Sequence, residues 1–379
     1  GLIYDNGTNI GVGTGSPSSK LDVVGWVNTT AGYRQNGTRV LAGAAGTSLM
    51  VGPGAGGSST GADNTFVGNN AGSSTTTAIG NTFIGDSAGL SNTGASNTFT
   101  GSGAGYSNVG GTNNAFYGRQ AGYSNTSGQF NTFIGDSAGN MNTSAGHNTF
   151  VGYDAGHYNT NSTGTFIGYL AGFSNTGAAN TFVGENAGSS NTSGRENTFM
   201  GQDAGSSNTL GQLNTFIGRF VGNANTEGYQ NVFVGHSAGS RNSTGYKNSF
   251  VGTGAGSHNI TGQFNTYLGD GAGPFNGGSG NVFIGKDAGY NESTASNKLY
   301  IDNDGTGALI YGDFSTGYVA FGKASITAGR AIDTAAGGYL TTGGTWTNSS
   351  SRDVKENITP VDAREVLEKL VKVPVSTWN

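Results

Sequence analysis

Over most of this chain a single large apolar residue returns at a fixed interval, surrounded by short polar residues and glycine. The unit reads Asn-Thr-Phe-(Ile/Val)-Gly-x-x-Ala-Gly-x-x-Asn-Thr, seen plainly in Asn131-Thr132-Phe133-Ile134-Gly135-Asp136-Ser137-Ala138-Gly139. Its aromatic anchor occurs fourteen times, at Phe66, Phe83, Phe99, Phe116, Phe133, Phe150, Phe166, Phe182, Phe199, Phe216, Phe233, Phe250, Tyr267 and Phe283, and every step is 16 or 17 residues. A weaker copy precedes them, with Met50-Val51-Gly52 and Ala55-Gly56 in register. Units that repeat this strictly lean on their neighbours, which predicts an all-β parallel β-roll, a solenoid of about 15 coils.

Side chains alternate along an extended Asn-Thr-Phe-Ile-Gly segment, so Phe points one way and Thr and Ile/Val the other. Both faces are apolar, the mark of a strand buried on both sides. One face fills the coil. The other needs a second surface, which three chains about a shared axis would supply, so a homotrimer is expected. The two glycines of Gly-x-x-Ala-Gly provide tight turns and close backbone approach. The Ala between them, replaced once by Val221, implies that another coil passes nearby. The Asn two before each anchor (Asn64, Asn81, Asn97, Asn131, Asn148 and onward) forms a candidate amide ladder, broken once at Gly164.

Four regions follow: a β module over 1–45, the repeat shaft over 46–297, a second β module over 298–348, and a different segment over 349–379. In the first, Asn6-Gly7 signals a two-residue hairpin. Leu309-Ile310-Tyr311-Gly312 and Val319-Ala320-Phe321-Gly322 echo its opening strands. The last region predicts a helix with Thr359 as N-cap, Pro360 at the first helical position and Asp362 at the third. Ala363, Val366, Leu367, Leu370 and Val371 form its apolar stripe, and Pro374 follows its end. This helix reads as the start of a further domain cut off at Asn379.

Composition narrows the function. The 379 residues include 72 Gly, yet the 10% aromatic content held in register is not that of disordered coil. With 10% charged residues and a net charge of −5, no basic face exists for nucleic acid. No apolar run approaches the roughly 20 residues that span a bilayer, so membrane insertion is not expected. There is no Cys for disulfides or thiolate metal sites. A chain opening on Gly1 rather than Met is expected to be a fragment or a processed product.

Two resemblances sharpen this. The repeat resembles the heads of trimeric autotransporter adhesins, whose Asn-Ser-Val-Ala-Ile-Gly-type units form parallel β-rolls packed in threes. Here the period is a few residues longer and Phe holds the inward position. Ser350-Ser351-Arg352-Asp353-Val354-Lys355-Glu356-Asn357-Ile358 is similar to the start of the endosialidase-type intramolecular chaperone at the ends of phage tail fibres, tailspikes and some bacterial surface fibres. The phrase from Gly11 to Val23 also looks like stretches common in such fibres. The chaperone resemblance implies an extracellular, trimeric phage or bacterial surface fibre that recognises a cell-surface glycan or receptor. It also implies self-cleavage of the Ser349–Ser350 bond, with Ser350 as nucleophile and Lys355 as its base.

Other chemistry finds little support. Gly101-Ser102-Gly103-Ala104-Gly105 lacks the βαβ context of a nucleotide loop. Asp86, Asp136, Asp154, Asp203, Asp270 and Asp287 do not recur in every copy as calcium repeats require. His147, His157, His236 and His258 fall at different phases, and no recurring carboxylate pair marks a glycosidase. No cofactor or metal is expected. A polysaccharide-degrading tailspike, an inert shaft and an ice-binding solenoid are the alternatives, the last resting on the column Thr93, Thr126, Thr143, Thr160, Thr176, Thr192, Thr209 and Thr226. Tyr106, Arg119, Tyr123, Phe130, His157, Tyr158, Tyr169, Phe173, Arg195, Arg219, Tyr229 and Tyr246 are the turn residues suited to stacking on sugars.

Overall fold

A computed structural model describes residues 48–347 without a break, and beyond them 3–8, 10–12, 16, 19–23, 33–35, 38–43 and 362–372. From Leu49–Val51 to Lys298–Ile301, sixteen strands of three or four residues pair in parallel, each with the next in sequence. The protein is an all-β parallel solenoid. Anchor lies opposite anchor in every register, and Tyr300 extends the series by one coil opposite Phe283. No register joins the two ends of this sheet among the described residues, so it is an open stack and not a barrel. Fifteen steps at the roughly 4.8 Å strand spacing make a rod of about 70 Å.

Each coil encloses one ring and one small side chain. The anchors from Phe66 to Phe283 are fully buried, as is the Ala column with Val221 in it. Successive anchor rings lie 4.7–5.1 Å apart and within 2–24° of parallel. Such pairs add about 0.5–1.5 kcal/mol each beyond the area they bury.

The glycines have separate causes. Gly135 has φ +142°, and a Cβ there would stand 2.2 Å from the Gly152 carbonyl oxygen of the next coil. Gly139 has φ +58°, and a Cβ would enter the Phe133 ring at 2.5 Å. The first glycine lets coils touch through their backbones; the second lets the ring fold onto its own turn. Backbone hydrogen bonds join neighbouring coils outside the strands too, as in Gly139 N–H to the Ala155 carbonyl (3.0 Å) and Ser137 N–H to the Arg119 carbonyl (2.9 Å).

Two buried Asn columns complete the interior. Asn131 N–H donates to Asn114 Oδ1 (2.9 Å), while Asn131 Nδ2 donates to the Ala145 carbonyl (2.9 Å). In the second column Asn175 Nδ2 donates to Asn159 Oδ1 (2.8 Å) and the Gly177 carbonyl (2.7 Å). Gly164 N–H still donates to Asn148 Oδ1 (2.7 Å), but Asn148 Nδ2 and both amide atoms of Asn142 lack partners there. The exposed Thr column is also engaged internally: Thr126 Oγ1 donates to the Thr143 carbonyl (2.9 Å), and Thr176 Oγ1 to the Thr192 carbonyl (2.8 Å).

Antiparallel strands cover both ends of the ladder, which would otherwise present open edges. Thr38–Gly43 pairs with Leu49–Val51 at one end, and Ile310–Asp313 with Lys298–Ile301 at the other. Buried Met50 begins the core. Tyr300 ends the ring stack by meeting Phe283 edge-on, at 5.2 Å and 90°. The echo between the flanking modules is topological. Ile3–Asp5 is antiparallel to Ile10–Val12, which is parallel to Leu21–Val23; Ile310–Asp313, Tyr318–Phe321 and Arg330–Thr334 follow the same order. The hairpin at Asn6-Gly7 is longer than expected. Asp5 pairs with Ile10, so the connection spans 6–9, because Asp5 and Asn6 each accept a nearby amide (Gly7 and Thr8, 2.8 and 2.9 Å).

The C-terminal helix runs Ala363–Leu370, later than expected. Asp362 is its N-cap, with Oδ1 accepting from Arg364 N–H at 2.8 Å, since a carboxylate caps a helical amide better than a hydroxyl does. Thr359 and Pro360 lie outside the described residues. Val366, Leu367 and Val371 on its apolar stripe are exposed.

The C-terminal cap carries a group of partly buried charges. Lys298 Nζ holds Asp313 at 2.7 Å, and bonds from Lys298 and Ser315 lower its carboxyl from 3.8 to about 2. Burial would raise the fully buried Asp333, but hydrogen bonds from Lys323, Thr327 and Arg330 outweigh it and hold the carboxyl well below its ordinary range.

Two outcomes follow from these contacts. Tyr267 occupies an anchor position with its buried hydroxyl flanked by the Asn259 and Asn281 amides but at hydrogen-bonding geometry with neither. Tyr267→Phe should therefore raise stability by about 1 kcal/mol in denaturant titration; a less stable variant would mean the hydroxyl is paired. Asp313 and Asp333 titrate lower folded than unfolded, so their stabilisation is complete above about pH 4 and is lost as pH falls toward Asp313's value of about 2. Digestion by an acid-active protease should then begin within residues 310–334, and Asp313→Asn should lessen that acid sensitivity.

Candidate functional site

With the interior committed to Phe, Ala, Asn and Gly, chemistry is left to the turn positions, and the fold sorts these into columns. Residues three, four, seven and eight after each anchor form one edge of the roll. Residues three and four before the next anchor form another column pair. In both sets one residue per coil takes the left-handed conformation, including Phe130, Leu170, Leu213, Phe220 and Phe264 at φ between +53° and +59°. Bulky side chains there cost roughly 1–2 kcal/mol each, carried by the surrounding coil.

On the first edge the sequence candidates gather into two groups. Tyr106 and Tyr123 stack at 4.8 Å and 15°. Beside them Arg119 holds Asp136 through Nε (3.0 Å) and Nη2 (2.9 Å). The two tyrosines and Arg119 line a recess of about 240 Å³ with Asp86, Ser87, Ser102, Gly103 and Gln120. The second group lies on the coils begun by Phe150 and Phe166. Tyr153 and Tyr169 stack at 5.5 Å, and Tyr158 meets Phe173 edge-on at 5.1 Å. His157 packs against Tyr158 and Phe173, with Nδ1 2.7 Å from Asp154 Oδ1. Tyr153, Tyr158 and Tyr169 are about half exposed. The charge of Asp154 foremost, then burial and a hydrogen bond to Asp154, raise the Tyr153 phenol above its ordinary 10.

The remaining candidates are spread over both sets. Tyr229 stacks on Tyr246 (4.7 Å), which meets Phe264 edge-on, and Lys247 Nζ sits 5.2 Å from the Phe264 ring centre. Phe130 stacks on His147 (5.0 Å), Arg195 Nε donates to Gln212 (3.0 Å), and Arg219 lies over Phe220 (4.3 Å). Tyr153 and Phe264 were missed by residue type alone, while Asp86 and Gly103 were weighed only for calcium and nucleotide binding and set aside. Writing the repeats in register would have placed Tyr106 with Tyr123, and Tyr153 with Tyr169, in single columns.

A larger recess of about 630 Å³ lies at the C-terminal cap, between residues 301–309 and 322–324. Its carboxylates serve their own loop: Asp302 accepts from Asn303 and Asp304 amides, and Asp304 from Thr306. Among the described residues no group of three or more His, Asp or Glu could hold a metal ion, and no helix is long and apolar enough to cross a membrane. Ser350 and Lys355 lie outside the described residues. Compared with protein-family models, curated proteins and solved structures, the chain matches none.

If Asp154 sets the Tyr153 phenol, Asp154→Asn should return it toward 10, read by ultraviolet pH titration with Tyr153→Phe as the blank. An unchanged titration would place the cause in burial instead.

Proposed function

We propose that this chain is a segment of a homotrimeric extracellular fibre, on a phage tail or a bacterial surface, that binds glycans or receptors of a target cell. The observation that carries the assembly is the outer strand column. Ile84, Tyr117, Ile134, Ile167, Met200, Ile217, Val251 and Leu268 stand 37–49% exposed in the single chain. A column that is apolar in every coil but that of Thr100 is matched in rise by another roll of the same rise, and a second copy supplies one. The number three comes from the chaperone resemblance, as does cleavage before Ser350 with Lys355 as base.

Adhesion is supported by the aromatic groups of the turn edge, which pair rings with hydroxyl, amide and charged neighbours in the manner of sugar sites. An ice-binding surface is weakened by the Thr hydroxyls that donate along their own column. Light scattering of the full-length product should give three chains per particle, and the product should capture target cells in a whole-cell and glycan screen. One chain per particle refutes the trimer. Release of oligosaccharides from capsule or lipopolysaccharide would replace adhesion with an enzymatic reading.

A further inference from the structure

We propose that the recess over Gly103 is a subsite for a single neutral hexopyranose, a reading that rests on the adhesive function above and gives it a place. Gly103 is a glycine that the fold does not require. Gly103 has φ +67°, but Asn70, Ser87, Gln120 and Ser137 occupy the same position of their coils at φ between +55° and +57°. A Cβ at Gly103 would meet Tyr123 Cδ2 at 3.4 Å, an ordinary contact. Neither backbone nor packing therefore demands glycine here. Its effect is to leave the flank of the Tyr123 ring open, where the neighbouring coils carry Ser87 and Gln120. Gly54, Gly254 and Gly271 share this position, but none of them has a stacked tyrosine pair beside it.

The walls of the opening define the ligand. Tyr106 and Tyr123 present ring surface for the C–H face of a sugar. Asp86 accepts from Asn69 Nδ2 at 2.8 Å and Ser87 Oγ at 3.3 Å, which leaves lone pairs for a hydroxyl, and Arg119 stands two coils further along the same column with N–H groups beyond those it gives Asp136. Ser102 is exposed at the rim. Asp86 and Asp136 outnumber Arg119, whose guanidinium is already held by Asp136 at 2.9 Å, so an acidic sugar would meet net negative charge. The volume, about 240 Å³, is below the 300–1,000 Å³ usual for drug-sized ligands and suits one ring.

The test uses the full chain and ligand-observed saturation-transfer NMR. The probes are methyl glycosides of glucose, galactose, mannose and N-acetylglucosamine, set against glucuronate and sialic acid. A neutral sugar should bind. Gly103→Asn, which fills the opening with a residue this column already holds at Asn70, should weaken it about tenfold or more without moving the melting temperature. Tyr123→Ser should do the same, since Ser73, Ser189 and Ser206 occupy its position in other coils. Equal binding by wild type and both variants, preference for the acidic sugars, or no neutral-sugar signal overturns the proposal. Whole-cell capture run in parallel separates this from the reading beneath it. Cells held equally by wild type and Gly103→Asn, with hexose binding also unchanged in the variant, leave adhesion standing and the subsite refuted. A wild type that binds hexose but no cell leaves the subsite standing and refutes adhesion.

Discussion

Backbone-to-backbone contact between successive coils is the constraint on which the molecule depends. At Gly135 and its equivalents from Gly52 to Gly269, the carbonyl of the next coil occupies the space a Cβ would need, at 2.1–2.8 Å. That approach sets the rise at one strand spacing. At this rise anchor rings stack face to face, Asn side chains reach the amide one coil away, and carbonyls accept from the neighbouring turn. Each of these interactions is modest. They act together because one spacing satisfies all of them.

Such a stack is close to one-dimensional: each coil touches only its neighbours, and stability accumulates by addition. Its weak points are its ends and its irregularities. The ends are covered by antiparallel strands, with Tyr300 turned edge-on over the last Phe and ion pairs at Asp313 and Asp333 fastening the cap. Near the irregularity at Gly164, Asn148 Nδ2 and both amide atoms of Asn142 lack partners, a local cost that the adjoining coils absorb. The same division separates fold from recognition. Interior positions are fixed by contact with the coils above and below, whereas turn positions vary freely and are merely collected into columns.

The architecture was legible in the sequence because its cause is periodic. A Phe every 16 or 17 residues, with Gly, Ala and Asn at constant offsets, specifies a coil before any tertiary contact is considered. The capped helix and the kinship of the flanking modules were legible too, although Asp362 took the cap from Thr359 and the Asn6-Gly7 connection spread over 6–9. Local side-chain hydrogen bonds decided both differences, and these shift element ends without changing element type.

The candidate site was legible only in its membership. Tyr106, Arg119 and Tyr123 stood out by residue type, but the opening they line depends on Gly103, which looks in sequence like any other glycine. The sequence by itself determined the repeat, the inward ring and the close-approach glycines, since each is dictated by the coil's own geometry. Only the tertiary structure decided which turn residues share a column, which glycines the fold requires, and that the outer Ile/Val column stays partly to largely exposed on a single chain. Those outcomes depend on the distances between successive coils, where residues 16 or 17 apart in sequence become nearest neighbours.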